Sequence, residues 1–127
     1  MTDSLNSRVF IVNDSYKHDY TDSKPFGRPV RVTVGNAPIF DARIVWDIRE
    51  VMEDFNANDY VLLSGHALLC FYVMSEALRR VSEAKILVWA AKESTYKVLT
   101  ITRKFWEFMQ PEEERWGQLE GGPGKHS

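Results

Sequence analysis

"NDYVLLSGHALLCFY", residues 58–72, decides how the rest of the chain is read. Its first half holds a short apolar run, Tyr60 to Leu63, of the kind that forms a strand covered on both faces. Its second half is apolar at almost every position, and the pattern runs on to residue 81, a length that suits a helix. Ser64, Gly65 and His66 sit at the joint. A buried strand that turns through small residues into a helix is one half of a parallel α/β unit.

Upstream, Ile44, Ile48, Val51, Met52 and Phe55 repeat at helical spacing, which predicts an amphipathic helix over residues 41–55 with Asp41 as its N-cap. Before it, "VRVTVG" alternates: Arg31 and Thr33 face one way and the valines the other, the mark of a half-exposed edge strand. The first apolar run, residues 9–12, predicts a strand buried on both faces. The roughly fifteen residues between these strands, "DSYKHDYTDSKPFGRP", read as a loop, and loops of that length in compact domains are often functional. Downstream, residues 86–89 read as a third buried strand, "AAKEST" as a turn and residues 96–102 as an alternating strand, so the pair forms a hairpin.

The expected fold is therefore an α/β domain over residues 8–102. It is a small Rossmann-like sandwich of two or three layers, with a largely parallel sheet and an antiparallel C-terminal hairpin. Its two helical connections should be right-handed crossovers. Residues 1–7 are a polar lead-in. Residues 103–118, with Phe105, Trp106, Phe108 and Trp116, are expected to form an aromatic helical extension, and the Gly-rich residues 119–127 a flexible tail. The four aromatic residues are candidate interface anchors, either covering the apolar helix in cis or reaching a second copy or a partner protein. A homo-oligomer is expected on that ground.

The balance of 16 Lys and Arg against 18 Asp and Glu argues against general nucleic-acid binding, which calls for a basic excess. No stretch is long and apolar enough to cross a bilayer and no signal core opens the chain, so the expected location is intracellular, in a reducing compartment. The single cysteine, Cys70, reads as a small core residue. With three histidines, one of them in the tail, the spacing implies no metal site and no cofactor.

Open parallel sheets bind ligands beyond the carboxyl ends of their strands. Two polar stretches fall there: Asn13, Ser15, His18 and Asp19 after the first strand, and Ser64, Gly65 and His66 after the middle one. If the two strands are neighbours, both stretches share one rim. The free N–H groups where a helix begins attract anions, Ser64 can cap the helix or hold a phosphate oxygen, and His66 can add charge. The plain alternative is a cap and a tight turn. His18 and Asp19 suit a general base with its orienting carboxylate, or else a histidine that only fixes the loop. Ser64 as a nucleophile lacks the GxSxG context.

The chain also resembles a group of small uncharacterised proteins of tailed bacteriophages. The resemblance is carried by "VFIVNDSYKHDY", "FGRPVRVTVG", "DYVLLSGHALL" and "KILVWAAKESTYKVLTI", in that order from residue 8 to about 102. It implies a phage origin, a compact α/β domain, and a recurrent His-Asp loop and glycine turn, at His18, Asp19, Ser64 and Gly65 here. The C-terminal extension is longer than the group's. These readings together lead to a non-catalytic phage accessory protein that binds a nucleotide-like or phosphate-bearing small molecule, such as a host signal. A module that binds a host enzyme or acts in the virion is the alternative. A metal-dependent hydrolase or nuclease using His18 and Asp19 is weaker still.

Overall fold

A computed structural model describes residues 6–104. Five strands, β1 (Arg8–Asp14), β2 (Arg28–Val34), β3 (Tyr60–Leu62), β4 (Glu83–Ala90) and β5 (Thr95–Thr102), form one sheet in the order β2-β1-β3-β4-β5. The first four are parallel and β5 runs antiparallel to β4. β1 and β3 lie side by side, with Val9 opposite Tyr60 and Ile11 opposite Leu62. β2 is an edge strand, as its alternation predicts.

Two helices, α1 (Arg43–Val51) and α2 (Ala67–Arg80), link β2 to β3 and β3 to β4. Their apolar stripes pack on one face of the sheet, where Phe10, Val12, Val61 and Ala84 meet Ile44, Ile48, Leu69, Val73 and Ala77. The other face carries Val9, Ile11, Leu62 and Leu87, and the β1–β2 connection covers it through Tyr20 and Phe26. Both helical steps run the same way along the sheet on the same face, while the step from β1 to β2 runs back across the opposite face. Crossovers of a single hand produce that arrangement.

Several elements differ from the sequence reading. The β1–β2 connection contains a 3-10 helix, Thr21–Phe26, entered through a turn in which the Asp19 carboxylate accepts from the Thr21 N–H at 2.9 Å. Its six residues and internal Pro25 show no 3.6-residue period, so the segment reads as plain loop. α1 stops at Val51, four residues short of Phe55. There the Asp54 carbonyl accepts from Arg8 instead of continuing a helix, and the Asn56 N–H turns to Asp59. Met52 and Phe55 still reach the core from the turn, and Phe55 meets Phe10 edge-on at 5.1 Å.

The third strand of the sequence reading is buried only in part. β3 pairs with β4 from Lys85 to Leu87 and ends there, so Val88 and Trp89 project past it with β5 as their one neighbour. Both are more than two-fifths exposed. In α2, Glu76 is buried among three arginines, at 2.7 Å from Arg80, 3.2 Å from Arg79 and 3.4 Å from Arg49 of α1. Burial raises its pKa, but the hydrogen bonds from Arg79 and Arg80 outweigh this and hold the carboxyl below its usual range.

Candidate functional site

The corner after β3 is built to bring two strands together. Gly65 has φ of 83°, a left-handed conformation that glycine adopts at little cost. A Cβ there would lie 2.6 Å from the Asn13 Cβ, so the turn also needs the missing side chain. The Ser64 hydroxyl accepts from the Asn13 N–H at 3.1 Å and donates to the Asn13 carbonyl at 2.8 Å. It stitches the open end of β3 to β1, and it is His66 that caps α2, its Nδ1 accepting from the Leu68 N–H at 3.0 Å. The Asn13 side chain is buried and donates to the Thr33 hydroxyl at 2.9 Å and the Gly35 carbonyl at 3.1 Å. Thr33 in turn donates to the Val12 carbonyl at 2.7 Å.

Asp14, 4% exposed, ends β1 with a buried carboxylate. One oxygen accepts from the Tyr16 N–H at 2.8 Å and the other from Arg31 Nε at 2.7 Å. The Arg31 bond, helped by the Tyr16 N–H, overrides burial and holds the carboxyl below its normal pKa. Tyr16 has φ of 66°, rare for a residue with a side chain, and its bond to Asp14 helps to hold it there. The loop then carries His18, Asp19 and Tyr20 back over the sheet. The His18 and Tyr20 rings lie 6.2 Å apart. Both the N–H and the hydroxyl of Thr21 donate to Asp19.

Two adjoining clefts open on this rim. The first, of about 360 Å³, lies between the loop and the hairpin. Its floor is Leu62, its lip is Leu63, Ser64 and Gly65, and its walls are His18, Asp19 and Tyr20 on one side and Trp89 and Tyr96 on the other. Trp89 and Tyr96 are a cross-strand pair packed edge-to-face at 5.0 Å. Partial burial raises the Tyr96 pKa, with smaller contributions from Tyr20, Asp22 and Asp19. The second cleft, of about 290 Å³, lies on the β2 side of the same loop and has polar walls: Asp14, Tyr16, Lys24 and Arg31, together with His18, Asp19 and Tyr20 again.

Of the residues singled out in the sequence, His18, Asp19, Ser64 and Gly65 line the first cleft together. Asn13 lies beneath its lip with its amide committed to Thr33 and Gly35. Ser15 and His66 do not line it. Tyr20, Trp89 and Tyr96 are functional candidates that the sequence reading missed. The signal for two of them was present, because an aromatic residue stands on each side of the "AAKEST" turn and a four-residue hairpin loop sets them opposite each other. Cys70 is half-buried, its thiol donates to the Ser64 carbonyl, and burial pushes its pKa up, the state of an unreactive thiol. Among the described residues no three His, Cys, Asp or Glu side chains converge as a metal site requires. Nor is any helix among them long and apolar enough to cross a membrane. Phe105, Trp106, Phe108 and Trp116, the expected extension and the tail lie outside the described residues.

A family model described as Phage Pam3 gp32-like protein matches residues 7–103. The match spans the sheet and both helices and bears out the phage resemblance. No curated protein and no solved structure matches the chain.

Proposed function

The chain belongs to the Pam3 gp32-like family of phage proteins, and from that premise we propose that it is a non-catalytic accessory protein that binds a nucleotide-like small molecule in the aromatic cleft. The observation that carries this is the position and lining of the cleft. The chain moves from β1 outward to β2, then returns past β1 to β3. The direction of winding thus changes between β1 and β3, where Rossmann-like sheets hold their ligands, and we read the fold as one of that kind. Leu62, Trp89, Tyr96 and Tyr20 offer flat apolar surface to a planar ring, and Ser64 and Asp19 stand at its edge. Stacking a base on an aromatic side chain contributes about 1–3 kcal/mol.

The state of Ser64 and Asp19 in the cleft supports binding over turnover. Ser64 is bonded in both directions to the Asn13 backbone, and Asp19 is engaged by Thr21. Isothermal titration of the full chain with the common nucleosides and their 5′-monophosphates tests the reading. At least one should bind saturably, and Trp89→Ala should weaken it about tenfold or more. If none of these ligands binds, or if Trp89→Ala changes nothing, the proposal fails.

One observation favours a protein-binding module as the second reading. Among the described residues β5 is one of the two edges of the sheet, and Val98 and Leu99 on it are about half exposed, beside Val88 and Trp89. Open edges of this kind accept strands from partners, including a second copy of the chain. A host protein or virion partner whose capture is lost with Leu99→Lys but kept with Tyr20→Ala would place function at this edge and not at the cleft.

A further inference from the structure

We propose that the polar cleft beside the aromatic one holds the phosphate of the same ligand, with the two Nη groups of Arg31 and the Lys24 ammonium as donors. This rests on the nucleotide reading above and narrows it to nucleoside phosphates as against free bases or nucleosides. The two clefts share His18, Asp19 and Tyr20 as a common wall, so a ligand lying over that wall occupies both. The aromatic cleft has no lysine or arginine in its lining, whereas the polar one has Lys24 and Arg31.

Arg31 has the geometry of a prepared anion clamp. Its Nε is fixed at 2.7 Å to Asp14, whose carboxylate is buried and also held by the Tyr16 N–H. That bond orients the guanidinium plane. Among the described residues its two Nη groups have no protein acceptor, and the side chain is half exposed at the cleft wall. A planar pair of N–H groups, already oriented and open to solvent, matches two oxygens of a phosphate. Lys24 forms no ion pair or hydrogen bond through its ammonium among the described residues, and it stands in the same lining. Of the two carboxylates in the lining, Asp14 is buried and held by Arg31 and the Tyr16 N–H, whereas Asp19 is exposed, accepts from Thr21 through one oxygen and feels the charge of Lys24. Two cations thus face a cavity in which Asp14 is buried and paired, while Asp19 stays exposed at the shared wall with one oxygen held by Thr21.

This location differs from the one the sequence suggests. At the start of α2 the Leu68 N–H is already bonded to His66, the Ser64 hydroxyl is bonded to Asn13, and no lysine or arginine lines the corner. The β2 side of the loop carries the positive charge instead.

The test compares each nucleoside with its 5′-monophosphate by titration calorimetry, on wild type and on Lys24→Gln and Arg31→Lys. The monophosphate should bind at least about tenfold more tightly than its nucleoside, as charge-assisted hydrogen bonds allow. Each variant should lose most of that advantage while the nucleoside affinity stays within about twofold, and the advantage should shrink as salt is raised. Lys24 makes no side-chain bond among the described residues, so Lys24→Gln separates a binding effect from a folding one. If nucleosides bind but the phosphate adds nothing, or if Lys24→Gln leaves the advantage intact, this inference is overturned and ring binding stands. If neither class binds, both proposals fall.

Discussion

β1 and β3 are neighbours along their length, yet their two ends are finished in opposite ways. At the N-terminal end Asp59, 1% exposed, accepts from the Arg8 N–H at 3.1 Å, its Nε at 3.2 Å and its Nη2 at 2.8 Å, and from the Asn56 N–H at 2.9 Å. Arg8 reaches on to the Asp54 carboxylate and carbonyl and lies over the Phe10 ring. Gly27 completes the closure, since a Cβ there would stand 2.6 Å from the Ser7 carbonyl. At the C-terminal end the backbone is stitched by Ser64 and Asn13, but the side chains above it, His18, Tyr20, Trp89 and Tyr96, surround open space. The same pair of strands is locked at one end and leaves a cavity at the other. A buried charge is retained where every lone pair finds a donor, and a cavity survives where the neighbouring strands run past a short one.

The largest expected effect breaks the locked end. Asp59→Ala should cost about 3–5 kcal/mol, because it leaves the Arg8 guanidinium, 14% exposed, without its main partner. Urea unfolding measures this, and a loss under about 1 kcal/mol would show that the two ends are equally loose. Gly65→Ala comes next. It forces an L-residue into the left-handed region and into the Asn13 Cβ, and should cost about 1–3 kcal/mol or more in the same assay. Cleft substitutions should sit well below both: Trp89→Ala, on a half-exposed residue, should shift stability little while it weakens ligand binding about tenfold or more. A Trp89→Ala variant that unfolds as readily as Asp59→Ala would identify the aromatic wall as core.

The smallest effect concerns acid. Asp14 is held below its ordinary pKa of 3.8 in the folded state by Arg31 and the Tyr16 N–H. A depressed carboxyl stabilises the fold above the unfolded value, and the contribution is lost as pH falls through the lowered folded value. Wild type should therefore lose stability below about pH 4. Asp14→Asn should be weaker at neutral pH and should show a shallower acid slope. Equal slopes for the two, measured by thermal melting from pH 6 to 2.5, would show that Asp14 does not contribute to acid sensitivity.

Much of this was legible along the chain. The apolar runs at residues 9–12 and 60–63 and the helical spacing of Ile44 and Ile48 mark their elements plainly, because burial on two faces or on one stripe leaves a periodic trace. Asn13, Ser64 and Gly65 were visible as a polar corner, though the residues alone do not say whether they touch a ligand or one another. What stayed hidden depends on contacts distant in sequence. Glu76 looks like any helix-surface acid until Arg49 arrives from α1, and Asp59 looks like a turn residue until Arg8, 51 positions away, closes on it. Trp89 looks buried because its strand is apolar, and it becomes a cleft wall only because β3 ends opposite Leu87.

The sequence by itself determined the five strands, the two α-helices and their order, since hydrophobic periodicity is a local property that each segment carries alone. It also determined where the chain must turn, through Gly65 and the polar loop after β1. The tertiary structure alone decided which strands are neighbours, which end of β1 and β3 is sealed and which is open, and that Arg31 faces the same loop as Trp89 from the other side. Those outcomes follow from strand order and relative strand length, which no single segment encodes.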